Sequence, residues 1–281
     1  MSSEPDIEYL PVPAKIPRET ATELAKLTDL FTTANDVKIV GVELLEGVLG
    51  KRTDSNYALV AYILFAKAFK TFQAAQILCL CGYGSDALSL CASLFENVID
   101  LLYIGKAPVR RSLRYMQYEQ VAKFLQIEQI LKKKRLPRGR RKAYLQYRHV
   151  FAPQTAKLLK HFKNDKGWSC KSLYARARAL GRLAELDYQE HYWIYCGHKH
   201  TLPMAVSGWT VEVAGGTDVT HGPDTKEVFN GLTESVARFL QLSLIIDDAF
   251  ALSLRPRIDK LLATFRDASA SIAQRYPELL K

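Results

Sequence analysis

The sequence predicts an all-α fold, a bundle of long packed helices with a small β-hairpin-like insertion near residues 209–220. Three observations predict it. Apolar residues recur at helical spacing through most of the 281 residues, which indicates amphipathic or buried helices. Glycines, prolines and capping residues divide this pattern into long segments. The stretch Trp209–Val213, followed by Gly215 and Gly216, has the β-prone residues and turn glycines of a hairpin.

Eight helical segments are predicted in chain order. Their approximate bounds are 19–49, 55–80, 85–104, 109–134, 140–162, 172–197, 225–254 and 256–276. No internal repeat and no long Gly/Ser linker interrupts them. We therefore expect a single helical domain over residues 18–281, preceded by a flexible, Pro-rich segment at residues 1–17.

Capping residues and helix breakers set several of these bounds. Asp54 or Ser55 is expected to cap the second helix, and Ser85 the third. The first helix is expected to be interrupted near Asn35-Asp36, and the sixth segment to divide near Leu180-Gly181. Pro256 suits the first turn of the last helix.

Composition bounds the class of protein. A hydrophobic fraction of 48% and a charged fraction of 24% are ordinary for a globular protein. The most apolar stretch, residues 58–66, ends at Lys67 and falls short of the roughly 20 apolar residues of a membrane span. We expect no signal peptide and no membrane segment. Five cysteines without a small-domain spacing favour reduced thiols and a cytoplasmic location.

The net charge of +10 is concentrated in one predicted helical hairpin. Its cations lie around the turn at Pro137 and at the start of the preceding helix: Lys132, Lys133, Lys134, Arg135, Arg138, Arg140, Arg141 and Lys142, with Arg110, Arg111 and Arg114. This hairpin is either a solvated tip or a binding surface for RNA or another anionic partner, since clustered cations gain affinity from counterion release. Assembly with a second copy of the chain stays open.

Acidic and small polar residues form one stripe on the third predicted helix. At about 100° per residue, its members share a face: Asp86, Ser89, Ser93, Glu96, Asn97 and Asp100. The stripe contains no Lys or Arg. It fits a solvated face, an internal cleft whose carboxylates pair with cations of another helix, or a metal or acid–base site at Glu96 and Asp100.

Tyrosine and histidine are concentrated between residues 188 and 200. If this segment is helical, two neighbouring rows form: His191, Tyr195 and His198 on one, and Tyr188, Tyr192, Cys196 and His200 on the other. The pattern fits aromatic core packing, histidine acid–base chemistry or a Cys/His nucleophile. Cys-x-His-x-His is not a usual zinc spacing, so no metal or cofactor is assigned.

Two stretches carry a resemblance to a known family. The first runs Gly84-x-x-Ala87-x-x-Leu90-x-x-x-Leu94-Phe95-Glu96, and the second joins Trp168-Ser-Cys-Lys-Ser172 to Tyr188, Tyr192, Cys196 and His200 at four-residue steps, with Gly222-Pro223 beyond. Over residues 56–254 the chain resembles a bacterial helical family, domain-of-unknown-function 5677. Ala92 stands where the family pattern has an Arg, and Cys196 where it has a Ser. The resemblance implies an all-α fold with Glu96 and His200 near one another in a cleft, but no reaction.

A looser similarity is to HEPN (higher eukaryotes and prokaryotes nucleotide-binding) helical domains, many of which are ribonucleases of defence or toxin systems. Their hallmark is an Arg four to six residues before a His. No Arg stands at those positions before His198 or His200.

Two function classes follow. The first is a non-enzymatic binding or interaction protein whose basic hairpin takes RNA or another anion. The second is a hydrolase, a HEPN-like ribonuclease, centred on Glu96, Tyr192 and His200. The sequence leaves open whether the protein is an enzyme.

Overall fold

The structure is a computed structural model that describes residues 18–51, 55–133, 136–162, 167–200, 202, 210–213, 216–219, 223, 225 and 227–280. The predicted flexible segment, residues 1–17, lies outside this range. The first helices are α1 (Arg18–Ala25), α2 (Thr28–Gly50), α3 (Asn56–Leu80), α4 (Gly84–Gly105), α5 (Pro108–Leu131) and α6 (Arg138–Leu159). They are followed by α7 (Leu173–Leu180), α8 (Arg182–Asp187), a π-helical turn (Tyr188–Tyr192), α9 (Trp193–Lys199), α10 (Val228–Phe250), α11 (Arg255–Arg275) and a 3₁₀ turn (Pro277–Leu280).

The predicted all-α fold is confirmed, and the predicted hairpin is present. Strands β1 (Thr210–Val213) and β2 (Gly216–Val219) pair antiparallel, with Thr210 opposite Val219 and Val213 opposite Gly216. The division into a single domain stays a prediction.

Side-chain capping explains the starts of α3 and α7. The Ser55 side chain accepts a hydrogen bond from the Ala58 backbone N–H at 3.0 Å, and Ser172 does the same for Ala175 at 3.2 Å. These bonds satisfy donors that the first turn of a helix leaves free. The predicted sixth helix is interrupted at Gly181, between α7 and α8, where a φ of +119° favours glycine.

Two local predictions are wrong. The first helix is interrupted at Lys26-Leu27 rather than at Asn35-Asp36, because two short i→i+3 hydrogen bonds close the end of α1 while Leu27 packs into the core. The N-cap of α4 is Tyr83 rather than Ser85, and it makes no side-chain capping bond. A turn at Gly82, with φ of +83°, directs the chain into α4.

Helix α4 lies at the centre of the bundle, against α3, α10, α7 and α9. Most of its apolar residues are buried, although Leu102 is 38% exposed. One side contributes to the main core, where the ring of Phe239 in α10 stacks on Phe72 at a centroid distance of 4.6 Å and on Phe65 at 5.3 Å. The other side forms a smaller core with α7 and α9 around Phe95.

The contact between α4 and α10 is made by glycine. A Cβ atom on Gly84 would lie 2.1 Å from the carbonyl carbon of Glu227 and 2.2 Å from the backbone nitrogen of Val228. A Cβ on Gly231 would lie 2.8 Å from the carbonyl oxygen of Gly84. The two backbones are therefore in direct contact, and no larger residue fits between them.

Two helices, α3 and α4, are long and apolar enough to cross a membrane by length and composition alone. In the most apolar window of α4, 67% of the residues are buried inside the protein, and in that of α3, 44%. Buried core helices of soluble proteins pass the same test, so this finding is weak evidence for a membrane protein.

We expect Gly84→Ala to lower the free energy of unfolding by about 3 kcal/mol or more, because a side chain pressed against backbone cannot escape by changing rotamer. Urea denaturation measures this change. Gly139→Ala in α6 is the control, since a Cβ there meets nothing within 4 Å, and it should be neutral or slightly stabilising. Equal stability of the two variants would contradict the close crossing.

Candidate functional site

The tyrosines of the 188–200 segment pack around Phe95 of α4. The Phe95 ring lies 5.3 Å from the ring of Tyr192, and 6.3 Å from those of Tyr188 and Tyr195. Tyr188 and Tyr192 also stack on each other at 5.0 Å. The π-helical turn lies at these residues. Aromatic core packing therefore accounts for much of the predicted Tyr/His face.

Two of the three predicted catalytic residues are in contact. The Tyr192 hydroxyl donates a hydrogen bond to Glu96 Oε1 at 2.7 Å. Lys199 Nζ lies 3.5 Å from the same oxygen. Burial and the hydrogen bond to Glu96 raise the pKa of Tyr192. The phenol therefore keeps its proton near neutral pH and acts as a donor, so it is not a general base in this arrangement.

His200, the third predicted catalytic residue, is not joined to this pair. It is exposed at the C-cap of α9, where its backbone N–H donates to the Cys196 carbonyl at 2.9 Å. Its imidazole makes no hydrogen bond or ion pair with the part of the chain that the structure describes. A shared cleft of Glu96 and His200 stays a prediction.

Asp100, at the other end of the acidic stripe, holds the turn that precedes α7. Its carboxylate lies 2.9 Å from Arg176 Nε and accepts a hydrogen bond from Trp168 Nε1 at 3.2 Å. Burial raises the pKa of Asp100 to about 6, although Arg176 opposes the shift. Arg176 Nη1 also donates to Ser169 Oγ at 3.1 Å and to the Lys171 carbonyl at 2.9 Å.

A second buried arginine connects α10 to α8 and α9. Arg238 is 4% exposed and forms a two-pronged bond with Asp187, at 2.7 and 2.8 Å. Its Nε donates to the Tyr195 hydroxyl at 3.1 Å, and that hydroxyl donates to Glu234. Such planar, charge-assisted pairs are among the strongest polar contacts in proteins.

His191 extends this network. Its Nδ1 lies 3.0 Å from Asp187 Oδ1. The hydrogen bond with Asp187 raises the pKa of His191, against the effect of partial burial. Burial alone would raise the pKa of Asp187, but bonds from His191 and Arg238 outweigh it and lower that pKa. The charged forms of both groups are thus favoured together.

The acidic stripe is explained mainly by pairing with cations from other helices. Asp100 pairs with Arg176 and Glu96 with Lys199, while Asp86 is exposed. No group of three potential metal ligands occurs within the described ranges. Of the alternatives that the stripe allows, an internal cleft matched by cations of later helices fits best.

The predicted basic residues divide into two surfaces. Lys132, Lys133, Arg138, Arg140 and Arg141 are exposed at the turn between α5 and α6. Lys134 and Arg135, between them in the chain, lie outside the described residues. Arg110 and Arg114 lie at the opposite end of α5, and a rise of 1.5 Å per residue separates Arg110 from Lys132 by about 33 Å.

Sequence reasoning missed the cations that pair with the carboxylates. Each of these cations lies far along the chain from its partner. Arg176 pairs with Asp100, Lys199 with Glu96, and Arg238 with Asp187. Their one signal in the sequence is an Arg or Lys on an otherwise amphipathic helix, which many surface residues share. The acidic stripe could indicate that its carboxylates pair with cations, but it could not show which cations those are.

The comparison with protein families finds one match. A model described as a family of unknown function (DUF5677) matches residues 58–212, more than half of the chain. No curated protein and no solved structure matches. The matched range contains α4, the Asp100–Arg176 pair and the Tyr192–Glu96 contact.

We expect Arg238→Ala to lower the free energy of unfolding by about 3 kcal/mol, because it removes the buried partner of several polar groups. The control is Arg255→Ala. Arg255 is 51% exposed and pairs with Asp248 and Asp259, and such surface pairs contribute at most about 1 kcal/mol. Both variants are measured by urea denaturation, and similar losses would contradict a structural role for Arg238.

His191→Gln should destabilise the protein more at acidic than at alkaline pH. A raised folded-state pKa means that protonation stabilises the fold fully below about pH 6.5. This contribution is lost as the pH rises through the folded-state value. Urea denaturation of both proteins at about pH 5.5 and about pH 8.5 gives the difference, and one that is equal at the two values, or larger at alkaline pH, would refute the pairing with Asp187.

Proposed function

Since the chain belongs to the DUF5677 family, whose function is unknown, we propose a function from its own side chains: a binding protein for single-stranded RNA. The binding surface is the arm formed by α5 and α6, with its basic tip at residues 132–142. The observation that carries the proposal is positive charge without any matching negative charge.

The charge of the arm is one-sided over a long stretch. Between Gln129 and Asn164 the chain has twelve Lys or Arg and no Asp or Glu. Elsewhere in the described chain, cations are commonly paired, as Arg257 is with Glu43 and Arg275 with Asp29. None of the described cations at the tip makes an ion pair with the described residues.

The tip cations do not serve the helix that carries them. Arg138, Arg140 and Arg141 stand in the first turn of α6, which has no acidic residue. The N-terminus of a helix carries partial positive charge, so cations there are unfavourable. An arrangement that costs stability in the free protein is expected where an anionic partner compensates for it.

The arm is also placed for contact with a large partner. All of α6 is described, and Thr155 is its one buried residue. The helix packs mainly along α5. Tyr144 and Tyr147 are partly exposed just beyond the tip cations. Cations beside aromatic rings are typical of surfaces that bind single strands, because bases stack on the rings and phosphates meet the cations.

RNA contact of this kind needs no cofactor, and we place it in the cytoplasm. Binding by a second copy of the chain is not required by the proposal.

A hydrolase centred on Glu96, Tyr192 and His200 is the second candidate. It is favoured by the 2.7 Å contact of Tyr192 with Glu96. Its test is incubation of labelled RNA with the protein and with His200→Ala, each with and without a divalent metal. Cleavage that is lost in the variant would support it, and binding without cleavage would leave the binding protein as the function.

We expect the combined variant Arg138→Gln, Arg140→Gln, Arg141→Gln and Lys142→Gln to bind single-stranded RNA more weakly. Each phosphate contact adds about 0.7 to the slope of log K against log salt for single strands. Loss of four contacts should make the slope shallower by up to about 3. Fluorescence anisotropy over a range of salt concentrations measures both quantities.

The matched control removes four other exposed cations, which lie on α3 and α11: Lys67, Lys70, Lys260 and Arg266, each changed to Gln. Net charge changes equally in the two variants. RNA binding that falls equally in both would show a general charge effect and sink the arm as the binding surface, as would wild-type protein that does not bind RNA.

A further inference from the structure

A cavity at the end of α5 remote from the arm tip gathers four cations. It has a volume of about 300 Å³, and the residues that line it are Tyr103, Arg110, Arg111, Arg114, Trp168, Ser169 and Lys171. None of these lining residues carries a carboxylate. The size is at the small end of the range for ligand sites, which is about 300–1,000 Å³.

Two of the four cations are held rigidly by neutral groups. The Arg111 guanidinium lies over the ring of Tyr103, 3.7 Å from its centroid, and donates to the Tyr103 carbonyl. Arg114 donates to the Trp168 carbonyl at 3.0 Å and to the His161 carbonyl at 2.6 Å. These bonds fix both guanidinium groups, and neither group forms an ion pair with the residues that the structure describes.

The other two cations are less constrained. Arg110 and Lys171 are exposed, and neither side chain makes a hydrogen bond or ion pair with the residues that the structure describes. The Lys171 ammonium lies 5.9 Å from the Tyr103 ring centroid. The turn that carries Lys171 is itself fixed, because the Lys171 backbone N–H donates to Ser169 Oγ at 3.1 Å.

Neutral backbone carbonyls hold two of these four cations, but no described carboxylate neutralises any of them. Among the described residues, Asp100 also contacts Trp168, but its carboxylate is already paired with Arg176. Uncompensated cations in a cavity repel one another and raise the local concentration of anions. Pre-positioned guanidinium groups also match phosphate geometry, since they offer several N–H donors in one plane.

We propose that this cavity binds a phosphate monoester. Its dianion would contact Arg111 and Arg114 at the fixed wall, with Arg110 and Lys171 closing over it from the rim. Tyr103 and Trp168 are each 6% exposed, so neither ring offers a free face to a nucleobase. The site therefore recognises the phosphate and leaves the group that carries it outside.

This site is separate from the RNA-binding arm, because α5 holds the two surfaces about 33 Å apart along its axis. The proposal stands or falls independently of RNA binding. The phosphate could belong to a small ester or to the 5′ end of a nucleic acid, and both present the same dianion.

The test is isothermal titration calorimetry of the full-length protein with ribose 5-phosphate, and with ribose as the uncharged comparison. Ribose 5-phosphate should bind and ribose should not. Absence of binding by ribose 5-phosphate, or equal binding by ribose, would overturn the proposal.

The variant Arg110→Glu with Lys171→Glu should weaken ribose 5-phosphate binding at least about tenfold, since it removes two charge-assisted contacts to the dianion and puts two negative charges in their place. The matched control is Lys132→Glu with Lys133→Glu, which makes the same change of charge at the arm tip and should leave this affinity unaltered. Thermal unfolding of both variants checks that they remain folded. The milder pair Arg110→Gln with Lys171→Gln should weaken binding in the same direction and takes the place of the first variant if that one unfolds. Equal weakening by the pocket and tip variants would refute the site.

Competition between ribose 5-phosphate and oligonucleotides distinguishes a small ester from a nucleic-acid end as the source of the phosphate. A 5′-phosphorylated oligonucleotide that displaces ribose 5-phosphate, when its 5′-hydroxyl form does not, would support a phosphate monoester at a nucleic-acid end. Ribose 5-phosphate binding that neither oligonucleotide displaces would support a small ester.

Discussion

The direct backbone contact of α4 with α10 positions the rest of the bundle. Gly84 and Gly231 remove the side chains that would hold the two helices apart, and close packing then depends on shape rather than on any polar bond. Because α4 enters the bundle at this point, most of its length is packed against other helices, with the main core on one side and the Phe95 cluster on the other. The two carboxylates of α4 beyond its first turns, Glu96 and Asp100, both meet cations of later elements there.

Those partners explain how the later, shorter elements are attached. Helix α7 is held through the pair of Asp100 and Arg176, and α9 through the contact of Tyr192 and Lys199 with Glu96. A buried pair contributes little net stability compared with apolar packing, but losing one partner is costly. The carboxylates of α4 therefore act chiefly as constraints on where α7 and α9 can lie, and the aromatic packing around Phe95 supplies the favourable energy.

Local features of the fold could be predicted from sequence, and distant pairings could not. The caps at Ser55 and Ser172 involve residues three positions apart, so their signal lies in one short stretch. The N-terminus of α4 was predicted wrongly because its position is set by the glycine contact with α10, far along the chain. The acidic stripe indicated that cations were needed, yet nothing in the stripe distinguishes Arg176 from the many exposed arginines. The basic hairpin was predicted as one surface, although the predicted helix over residues 109–134 already implied that its two ends lie far apart.

The total charge of +10 locates no binding surface by itself, but the distribution of compensated and uncompensated cations does. Arg176 and Arg238 are buried and matched by carboxylates, so they are explained by the fold. The cations of the arm tip and of the cavity lined by Arg111 and Arg114 have no carboxylate among the described residues, and at the tip they also oppose the dipole of α6. A charge that the described part of the chain does not neutralise is the feature that an anionic partner would account for, and these two places are far enough apart to serve two ligands.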